Sequence, residues 1–547
     1  MHAILQTIRR LPKILSTWIS PNVRLFLNSR LPMVWLLSLI IGALVAIAAI
    51  LFRLAIGLLQ WPWLGTTSER IMAAAAAQPW WLILCAPAFG GLIVGYLLQN
   101  HTNKQRAGGV ADVIEARAQG GRGLPLRDGL MSALITTISL GFGASAGREG
   151  PVVHLGATIG TALCRAFSLP DASRRILLAC GVASAVSASF NAPIAGVLFA
   201  HEVVLGHYAM SAFVPIVLAS AVGTVLARQY FGNVAAFEIP QYEITSYWEI
   251  PAFALLGLTC AAVAIIFQFA LIGTDWFARN ITMPLWLRPV VGGFAVGAIA
   301  IFFPGVLGVG YEATDQALKH ELTISMLLAL LVAKTAATAI TLASRFGGGI
   351  FSPSLYLGAM TGGAFGLIAA SVFPEMASSH GLYAILGMGA VAAAVLGAPV
   401  STTVIVFELT GGYALSIALL LSVSIATGLT QAVHGKSYFH WQLGVRGVCL
   451  HEGAHQYLRE IVKVKDFMDP PPENEAERTF DPGKDGPYLH ASDSLESALK
   501  TFDEGGHVVL PVVARGDANK IIGHARHVRA LRFFNRALIE VSEEEHR

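Results

Sequence analysis

Five consecutive residues, Gly147-Arg148-Glu149-Gly150-Pro151, place a carboxylate beside helix-starting residues within a largely apolar stretch. A carboxylate at membrane depth is unfavourable, so such a residue usually has a function. Proline suits the first turn of a helix, where its missing N–H group is no loss. The sequence therefore predicts that Glu149 lies just ahead of a helix N-terminus. The unpaired N–H groups and partial positive charge there can bind an anion, with which the Glu149 carboxylate competes.

A simple salt bridge between Arg148 and Glu149 is the alternative interpretation, although adjacent residues pair poorly on a helix. A second segment, Gly347-Gly348-Gly349-Ile350-Phe351-Ser352-Pro353, has the same glycine and proline pattern. Its glycines allow the backbone to approach a ligand closely, and Ser352 is expected to cap the helix that follows. Close helix packing also favours glycine. Helix packing does not explain two glycine-rich breaks at matched positions. The two helix starts together would instead hold a small anion by their backbone N–H groups.

The two segments belong to a longer internal repeat. Residues 151–160 and 353–362 both read P-x-x-x-L-G-A-x-x-G. A second pair of blocks follows each of them, with identical spacing from a glycine to a proline to a glutamate. The halves 33–230 and 250–435 are therefore predicted to be copies of one unit, either parallel or inverted. The paired blocks are Gly181, Pro193 and Glu202 in the first half, and Gly387, Pro399 and Glu408 in the second.

The composition predicts that most of the chain lies in a bilayer, because 54% of residues are hydrophobic and 13% are charged. Several apolar segments are too short to cross a hydrocarbon core of about 30 Å. Broken helices at membrane depth are tolerated where they are buried or line a cavity, so the pattern indicates a transporter or channel with its site near mid-membrane. Basic residues before the first apolar segment predict a cytoplasmic N-terminus in the inner (plasma) membrane. They are Arg9, Arg10, Lys13, Arg24 and Arg30.

A change in charge divides the chain. Residues 451–547 contain 18 acidic and 13 basic residues, whereas the preceding 450 contain 16 and 24. We expect a cytoplasmic segment at 1–32, a membrane domain at 33–450 and a soluble, cytoplasmic domain at 451–547. The five cysteines are scattered without a CxxC pair, so neither a disulfide framework nor a metal site is predicted. No cofactor, metal or nucleic-acid partner is expected.

The motifs GREGP at 147–151 and GGIFSP at 348–353, with the Pro193 and Pro399 repeat, resemble those of the CLC chloride channels and proton/chloride antiporters. The resemblance covers about 30–445. It implies an all-α polytopic membrane protein with two antiparallel, inverted repeats of broken helices. It also implies a homodimer in membrane lipid, with one pathway per subunit for chloride or similar small anions. Glu149 would be the external gate. The implied anion-binding residues are Gly108, Gly109, Arg148, Gly150, Gly349, Ile350, Phe351, Tyr438 and Phe439.

Three departures from the family pattern bear on function. Gly108 stands where the family has a serine whose hydroxyl binds the anion, which predicts weak discrimination between chloride and nitrate. Phe439 aligns with the family's conducting-site tyrosine, and the adjacent Tyr438 is a possible substitute. Val203 occupies the proton-relay position of many antiporters and cannot titrate. Glu202 precedes it, about 100° away on an α-helix, and should face elsewhere. These residues favour a passive channel over a proton-coupled antiporter, which is the alternative.

The C-terminal region resembles one CBS unit, a small α/β domain. Val464–Met468 looks like its lead-in, Ser492–Leu499 precedes a helix, and 508–513 and 521–523 are strand-like. This resemblance implies a nucleotide as the ligand of the domain. A generic small α/β domain is the alternative.

An enzyme is not expected. Residues 143–147 fit the G-x-S-x-G pattern of a serine hydrolase, with His154 and His201 as conceivable bases. The pattern should follow a strand, but this stretch is typical of a small-residue membrane helix. An intramembrane serine hydrolase is therefore only a remote alternative.

Overall fold

A computed structural model describes residues 21–102, 104–118, 123–233, 247–374, 378–410, 415–448, 462–470, 486–514 and 520–546, together with residues 19, 237 and 244. The chain forms two compact units, Met1–Phe439 and His440–Arg547. The border falls within a helix close to the predicted end of the membrane domain. Almost all of the first unit is helical, as its apolar composition predicts.

From Leu31 onward, the described residues of the first half of the helical unit form nine α-helices and a short π-helical segment, Ala200–Leu205, that directly continues the eighth. Many of these helices are shorter than a bilayer-spanning segment. They are α1 Leu31–Leu64, α2 Met72–Ala76, α3 Trp80–His101, α4 Val110–Ala118, α5 Leu126–Gly141, α6 Glu149–Ala166, α7 Asp171–Phe190, α8 Pro193–Phe199 and α9 Met210–Phe231.

The second half also combines long and short helices. Two 3₁₀ turns, Tyr247–Glu249 and Pro304–Val306, interrupt it. Its helices are α10 Ile250–Asn280, α11 Leu287–Phe302, α12 Tyr311–Leu318, α13 Ile324–Ala343, α14 Phe351–Val372, α15 His380–Leu396, α16 Pro399–Thr410, α17 Ser416–His434 and α18 Tyr438–Val445.

Within the described residues, seven helical segments are long and apolar enough to cross a membrane. Several of the remaining helices are shorter but equally apolar, which agrees with the predicted broken helices. The long segments are Leu31–Leu64, Trp80–His101, Met210–Phe231, Ile250–Asn280, Ile324–Ala343, Phe351–Val372 and Ser416–Val445.

The repeated glycines bring the central helices into backbone contact. A Cβ atom on Gly156 of α6 would lie 2.4 Å from the carbonyl oxygen of Gly181 on α7. In the second half, a Cβ on Gly358 of α14 would lie 2.3 Å from the carbonyl oxygen of Gly387 on α15. Small residues allow helices to approach this closely, so the repeated sequence blocks encode the same helix crossing twice. Close packing therefore accounts for these glycines, as distinct from those of the two helix-starting loops.

Each half also caps a helix of the other. The Glu202 carboxylate accepts hydrogen bonds from the backbone N–H groups of Val400 and Ser401, at 2.9 and 2.7 Å, at the start of α16. The Glu408 carboxylate accepts the equivalent bonds from Ile194 and Ala195, at 3.0 and 2.8 Å, at the start of α8. A carboxylate is favourable at a helix N-terminus because it satisfies unpaired donors and interacts with the helix dipole.

The second unit contains a mixed three-stranded sheet flanked by helices, which agrees with the predicted CBS-like domain. Strand β1 (Leu489–His490) pairs in parallel with β2 (Val509–Val513), which pairs antiparallel with β3 (Ile521–Arg526). Phe467, Phe502 and Val512 lie in its buried apolar core. Its helices are α19 Val464–Phe467, α20 Leu495–Gly505 and α21 His527–His546.

Candidate functional site

Two hydrogen bonds join the two helix-starting loops directly. The Gly147 N–H donates to the Gly349 carbonyl and the Gly349 N–H donates to the Gly147 carbonyl, both at 2.7 Å. This antiparallel pair places the start of α6 beside the start of α14. The equivalent residues of the two repeats therefore meet, and the first N–H groups of both helices lie in one region.

Two details of the predicted helix starts are wrong. Glu149 is the first residue of α6 and does not precede it. Ser352 is the second residue of α14, where its side chain does not cap the helix. Its hydroxyl is buried and has no hydrogen-bond partner within the described residues. The reciprocal backbone bonds of Gly147 and Gly349 fix the chain immediately before both helices, so a capping side chain is not needed to set where they begin.

The Glu149 side chain is buried beside these loops, with 1% of its surface exposed. The Tyr311 hydroxyl, at the start of α12, donates a hydrogen bond of 3.0 Å to Glu149 Oε1. Glu149 Oε2 has no hydrogen-bond partner among the described residues. A Cβ atom on Gly147 would lie 2.8 Å from this oxygen and 3.1 Å from the backbone nitrogen of Ser352. The carboxylate and the start of α14 therefore both lie close to Gly147.

Arg148 points to a different partner. Its guanidinium forms an ion pair with Glu69 and donates 3.3 Å from Nη2 to the Ser189 carbonyl. Its Nε atom lies 3.8 Å from Glu149 Oε1, beyond hydrogen-bonding distance. Arg53 also pairs with Glu69, at 3.0 Å from Nε to Oε2. A simple pair between Arg148 and Glu149 is therefore not the main interaction of either residue.

The loop that carries Gly108 and Gly109 packs against α6. The Gly108 N–H donates to the Ser132 hydroxyl at 2.8 Å, and the Gly109 N–H donates to Asp112 at 3.1 Å. A Cβ atom on Gly108 would lie 2.4 Å from Nε2 of the buried His154. A Cβ on Gly109 would meet no atom within 4 Å. The imidazole therefore fills the space that a residue-108 side chain would need.

Ile350 and Phe351 present apolar side chains in the second repeat. The Phe351 ring packs against Phe190 and Phe199, with ring centroids 4.9 and 5.9 Å apart. A Cβ on Gly150 would lie 3.4 Å from the Gly349 Cα atom, so these two backbones are nearly in contact.

Tyr438 and Phe439 are the first two residues of α18, and both are buried. The preceding residue, Ser437, packs against Gly397 at the end of α15. These residues thus lie on a separate element from the three glycine-containing loops.

Val203 and Glu202 lie in the π-helical segment that follows α8. The expected separation of about 100° assumed an α-helix and is wrong for this wider helix. Both Glu202 carboxylate oxygens accept backbone hydrogen bonds from α16. The structure therefore gives Glu202 a capping contact that its sequence position alone did not reveal.

Residues 90–431 match the family model described as the voltage-gated chloride channel. The match covers more than half of the chain. The chain belongs to the CLC family.

Several CLC proteins are similar along most of their length. A putative chloride channel protein ClcB-like from Ralstonia nicotianae is 35% identical over 70% of this chain and 90% of its own. The H(+)/Cl(-) exchange transporter ClcA of Cronobacter sakazakii is 32% identical over 74% of this chain and 88% of its own. Among solved structures, a slow cyanobacterial Cl-/H+ antiporter has a TM-score of 0.67 at 22% identity, covering 76% of this chain and 97% of its own. A eukaryotic CLC transporter has a TM-score of 0.64 at 19% identity, covering 93% and 90%.

Three residues at this CLC site were missed from the sequence. Tyr311 and Glu69 are far from residues 147–151 in the chain, and no local pattern links them. Lys334 carried a usable signal, because a lysine within an apolar segment usually has a function. It is fully buried on α13, and its Nζ donates to the carbonyls of Val306 and Gly308 at 3.0 and 2.9 Å.

The G-x-S-x-G segment does not form a hydrolase site. It follows the helix α5 and not a strand. The Ser145 hydroxyl lies 3.3 Å from the Thr338 hydroxyl, and its backbone N–H donates to Thr341. The serine hydrolase alternative therefore has no support, and the site is that of a membrane transport protein.

Proposed function

We propose that this CLC protein passively conducts chloride or a similar small anion, gated by protonation or displacement of Glu149. The observation that carries the proposal is the buried Glu149 carboxylate beside the N-termini of α6 and α14. One of its oxygens is held by Tyr311, and the other lies near the start of α14 without a hydrogen-bond partner among the described residues. A carboxylate in this position can compete with an anion for the donors at the helix N-termini.

The proposed binding site consists mainly of backbone donors. Ile350 and Phe351 contribute the N–H groups at the start of α14, and Gly150 and Gly349 allow the two loops to approach each other. The Gly108 loop lines this site without supplying side-chain or Gly108 and Gly109 N–H donors, because His154 fills the side-chain space and these two N–H groups donate to Ser132 and Asp112. Arg148 supplies positive charge at the outer side. Gly109, Tyr438 and Phe439 are assigned to the inner part of the pathway by the family resemblance.

The absence of proton coupling is inferred from the relay position. Val203 cannot carry a proton, and the neighbouring Glu202 uses both oxygens to cap α16. A group that must accept and release protons during each cycle would have to break these contacts repeatedly. The residues around α8 therefore support a passive pathway.

A proton-coupled antiporter is the second candidate. The similarity to ClcA, whose name describes proton and chloride exchange, favours it. The buried His154 is also a titratable side chain five residues from Glu149 on the same helix.

We further propose a homodimer in the inner (plasma) membrane with both termini in the cytoplasm. The CBS-like unit would then regulate transport from the cytoplasmic side, with a nucleotide as its possible ligand class. Cysteine accessibility at each terminus in oriented vesicles tests the orientation, and chemical cross-linking of purified protein tests the dimer.

Reversal potentials in planar bilayers, measured under crossed proton and chloride gradients, test the choice between the two functions. A passive channel gives a reversal potential that follows the chloride gradient alone. Uphill proton movement driven by chloride, and abolished by Glu149→Gln, would establish exchange and reject passive conduction.

A further inference from the structure

A cavity of about 180 Å³ lies beside Arg148, and Tyr311 is also among its lining residues. Four arginines line it, contributed by α1, the segment after α1, the α6 loop and α9. A single acidic residue, Glu69, lies among its lining residues. The four arginines are Arg53, Arg70, Arg148 and Arg228. We refer to this space as the arginine cavity.

The arginines are held in place by separate contacts. Arg53 stacks over the Phe231 ring at 4.2 Å, and Arg228 donates 2.6 Å from Nε to the Asn191 side chain. Arg70 pairs with Asp315 at 2.8 Å. Arg148 is 4% exposed and its Nε has no hydrogen-bond partner among the described residues. The guanidinium groups are thus positioned by protein contacts and do not depend on a ligand for their placement.

Glu69 reveals what shape of anion these groups accept. Its Oε1 pairs with Arg148 and its Oε2 pairs with Arg53, so one carboxylate bridges two guanidiniums from different elements. Guanidinium presents a planar fork of donors that matches the oxygens of carboxylates and phosphates. A spherical halide cannot bridge donors in the same two-oxygen geometry.

We propose that the arginine cavity is a second anion site, specific for small oxyanions such as inorganic phosphate, and that Glu69 is a tethered competitor within it. The cavity is lined by side-chain guanidiniums, whereas the Glu149 site is built from backbone donors. With the N-terminus in the cytoplasm, Glu69 follows the outer end of α1, so the cavity opens to the outside. An oxyanion bound there lies over the approach to Glu149 and reduces anion flux. Only this effect on flux depends on the proposed function.

Isothermal titration of the purified full-length protein with inorganic phosphate tests the site directly. Glu69→Gln removes the competing charge and should tighten phosphate binding by about tenfold, while Arg228→Gln should weaken it by about tenfold. Arg228→Lys keeps the charge but loses the fork, and should restore only part of the affinity. Glu321→Gln is the matched control, because Glu321 is exposed and does not line the cavity. It should leave both phosphate affinity and flux unchanged.

A second measurement adds phosphate to the outside of proteoliposomes during chloride efflux. Inhibition should strengthen in Glu69→Gln and weaken in Arg228→Gln. Phosphate affinity that is equal in the wild type and all four variants would overturn the proposal. Loss of phosphate binding in Glu149→Gln, with no change in Arg228→Gln, would place phosphate at the gate and also overturn it. If chloride flux proves proton-coupled but these affinity changes occur, passive conduction fails and the oxyanion site stands.

Discussion

The two repeats build nearly the same backbone around the site but give it opposite side-chain chemistry. Glu149 and Phe351 occupy equivalent positions, and each is the first residue of its helix. Glu149 is bound by the Tyr311 hydroxyl, whereas Phe351 packs against two phenylalanine rings. The shared backbone supplies anion donors from both sides, while a titratable side chain is present on only one. Under the proposed function, anion binding is a property of the repeated fold, whereas gating is a property of Glu149, which has no titratable counterpart in the second repeat.

The loops that contain Gly108 and Gly310 show the same combination of a shared backbone and different side chains. In each repeat a glycine is packed against a ring from the helix that starts at the site. A Cβ on Gly108 would lie 2.4 Å from His154, and a Cβ on Gly310 would lie 2.7 Å from Tyr356. Ser132 and Lys334 form a third pair of equivalent positions, and their side chains differ in chemistry. The Ser132 hydroxyl accepts a hydrogen bond from the Gly108 N–H group, whereas the Lys334 amine donates one to the Gly308 carbonyl. The second repeat therefore contributes a buried amine where the first contributes a hydroxyl.

Replacing Glu149, which has no titratable counterpart in the second repeat, has the largest expected effect on transport. Glu149→Gln should abolish pH-dependent gating and leave anion flux equal or faster, because the neutral amide no longer competes as a charge for the donors. Stopped-flow chloride efflux between pH 4.5 and 8 measures this. Glu321→Gln, an exposed carboxylate outside the site, is the control. Wild-type pH dependence in correctly folded Glu149→Gln would reject Glu149 as the gate.

Adding a side chain at residue 108 tests whether the glycine at this position is required for packing against His154 and whether it weakens anion selectivity. Gly108→Ser should destabilise the protein by about 1–3 kcal/mol, because its Cβ meets the His154 ring. Removing that ring in Gly108→Ser/His154→Ala should recover stability and increase chloride-over-nitrate selectivity, since a fixed hydroxyl penalises the wrong anion.

Thermal melting in detergent and bi-ionic reversal potentials provide the two readouts for this pair. Gly109→Ser is the matched control for stability, because its Cβ has open space. A strongly chloride-selective wild type, unaltered in the double variant, would contradict the interpretation of residue 108.

The Tyr311 contact should tune the gate without eliminating it. Tyr311→Phe removes a hydrogen bond to the charged carboxylate and should move the pH midpoint of flux upward by about one unit. The same efflux assay measures the midpoint. Tyr230→Phe, at an exposed tyrosine, should leave it unchanged. An unaltered midpoint in Tyr311→Phe would mean that this bond does not hold the gate.

The two capping glutamates should behave alike if their role is structural. Glu202→Gln and Glu408→Gln should each reduce stability by about 1 kcal/mol, because each weakens a charged cap on an equivalent helix. Melting temperatures in detergent, together with reversal potentials, test this. A change in ion coupling in Glu202→Gln alone would instead assign proton transfer to that residue.

Removing the C-terminal domain should have the smallest effect on conduction. A chain ending at Leu450 retains all the helices around Glu149 and should still conduct, with altered regulation at most. Single-channel or efflux rates of the purified truncated dimer measure this. Complete loss of flux from a folded dimer would show that the C-terminal domain is required for the pathway.

Much of the helical fold follows from local signals in the sequence. The proline and glycine positions predicted the repeats and the starts of α6 and α14, which begin at Glu149 and Phe351. The Arg53, Glu69 and Tyr311 contacts could not be predicted, because residues distant in the chain meet only after the helices pack. The π-helical segment around Glu202 was also missed. Its geometry depends on packing and on the α16 donors, neither of which leaves a local pattern.

The exchanged caps have a consequence for how such a molecule is assembled. Glu202 completes α16 and Glu408 completes α8, and Gly147 and Gly349 bond to each other in both directions. In an isologous dimer, every contact between the two subunits occurs twice, with the roles of the subunits exchanged. The contacts between the two halves of this chain have the same reciprocal pattern. Each half leaves helix donors unpaired that only its counterpart can satisfy. In these contacts the single chain is therefore equivalent to a two-subunit assembly joined by a linker, in which each half completes a helix of the other.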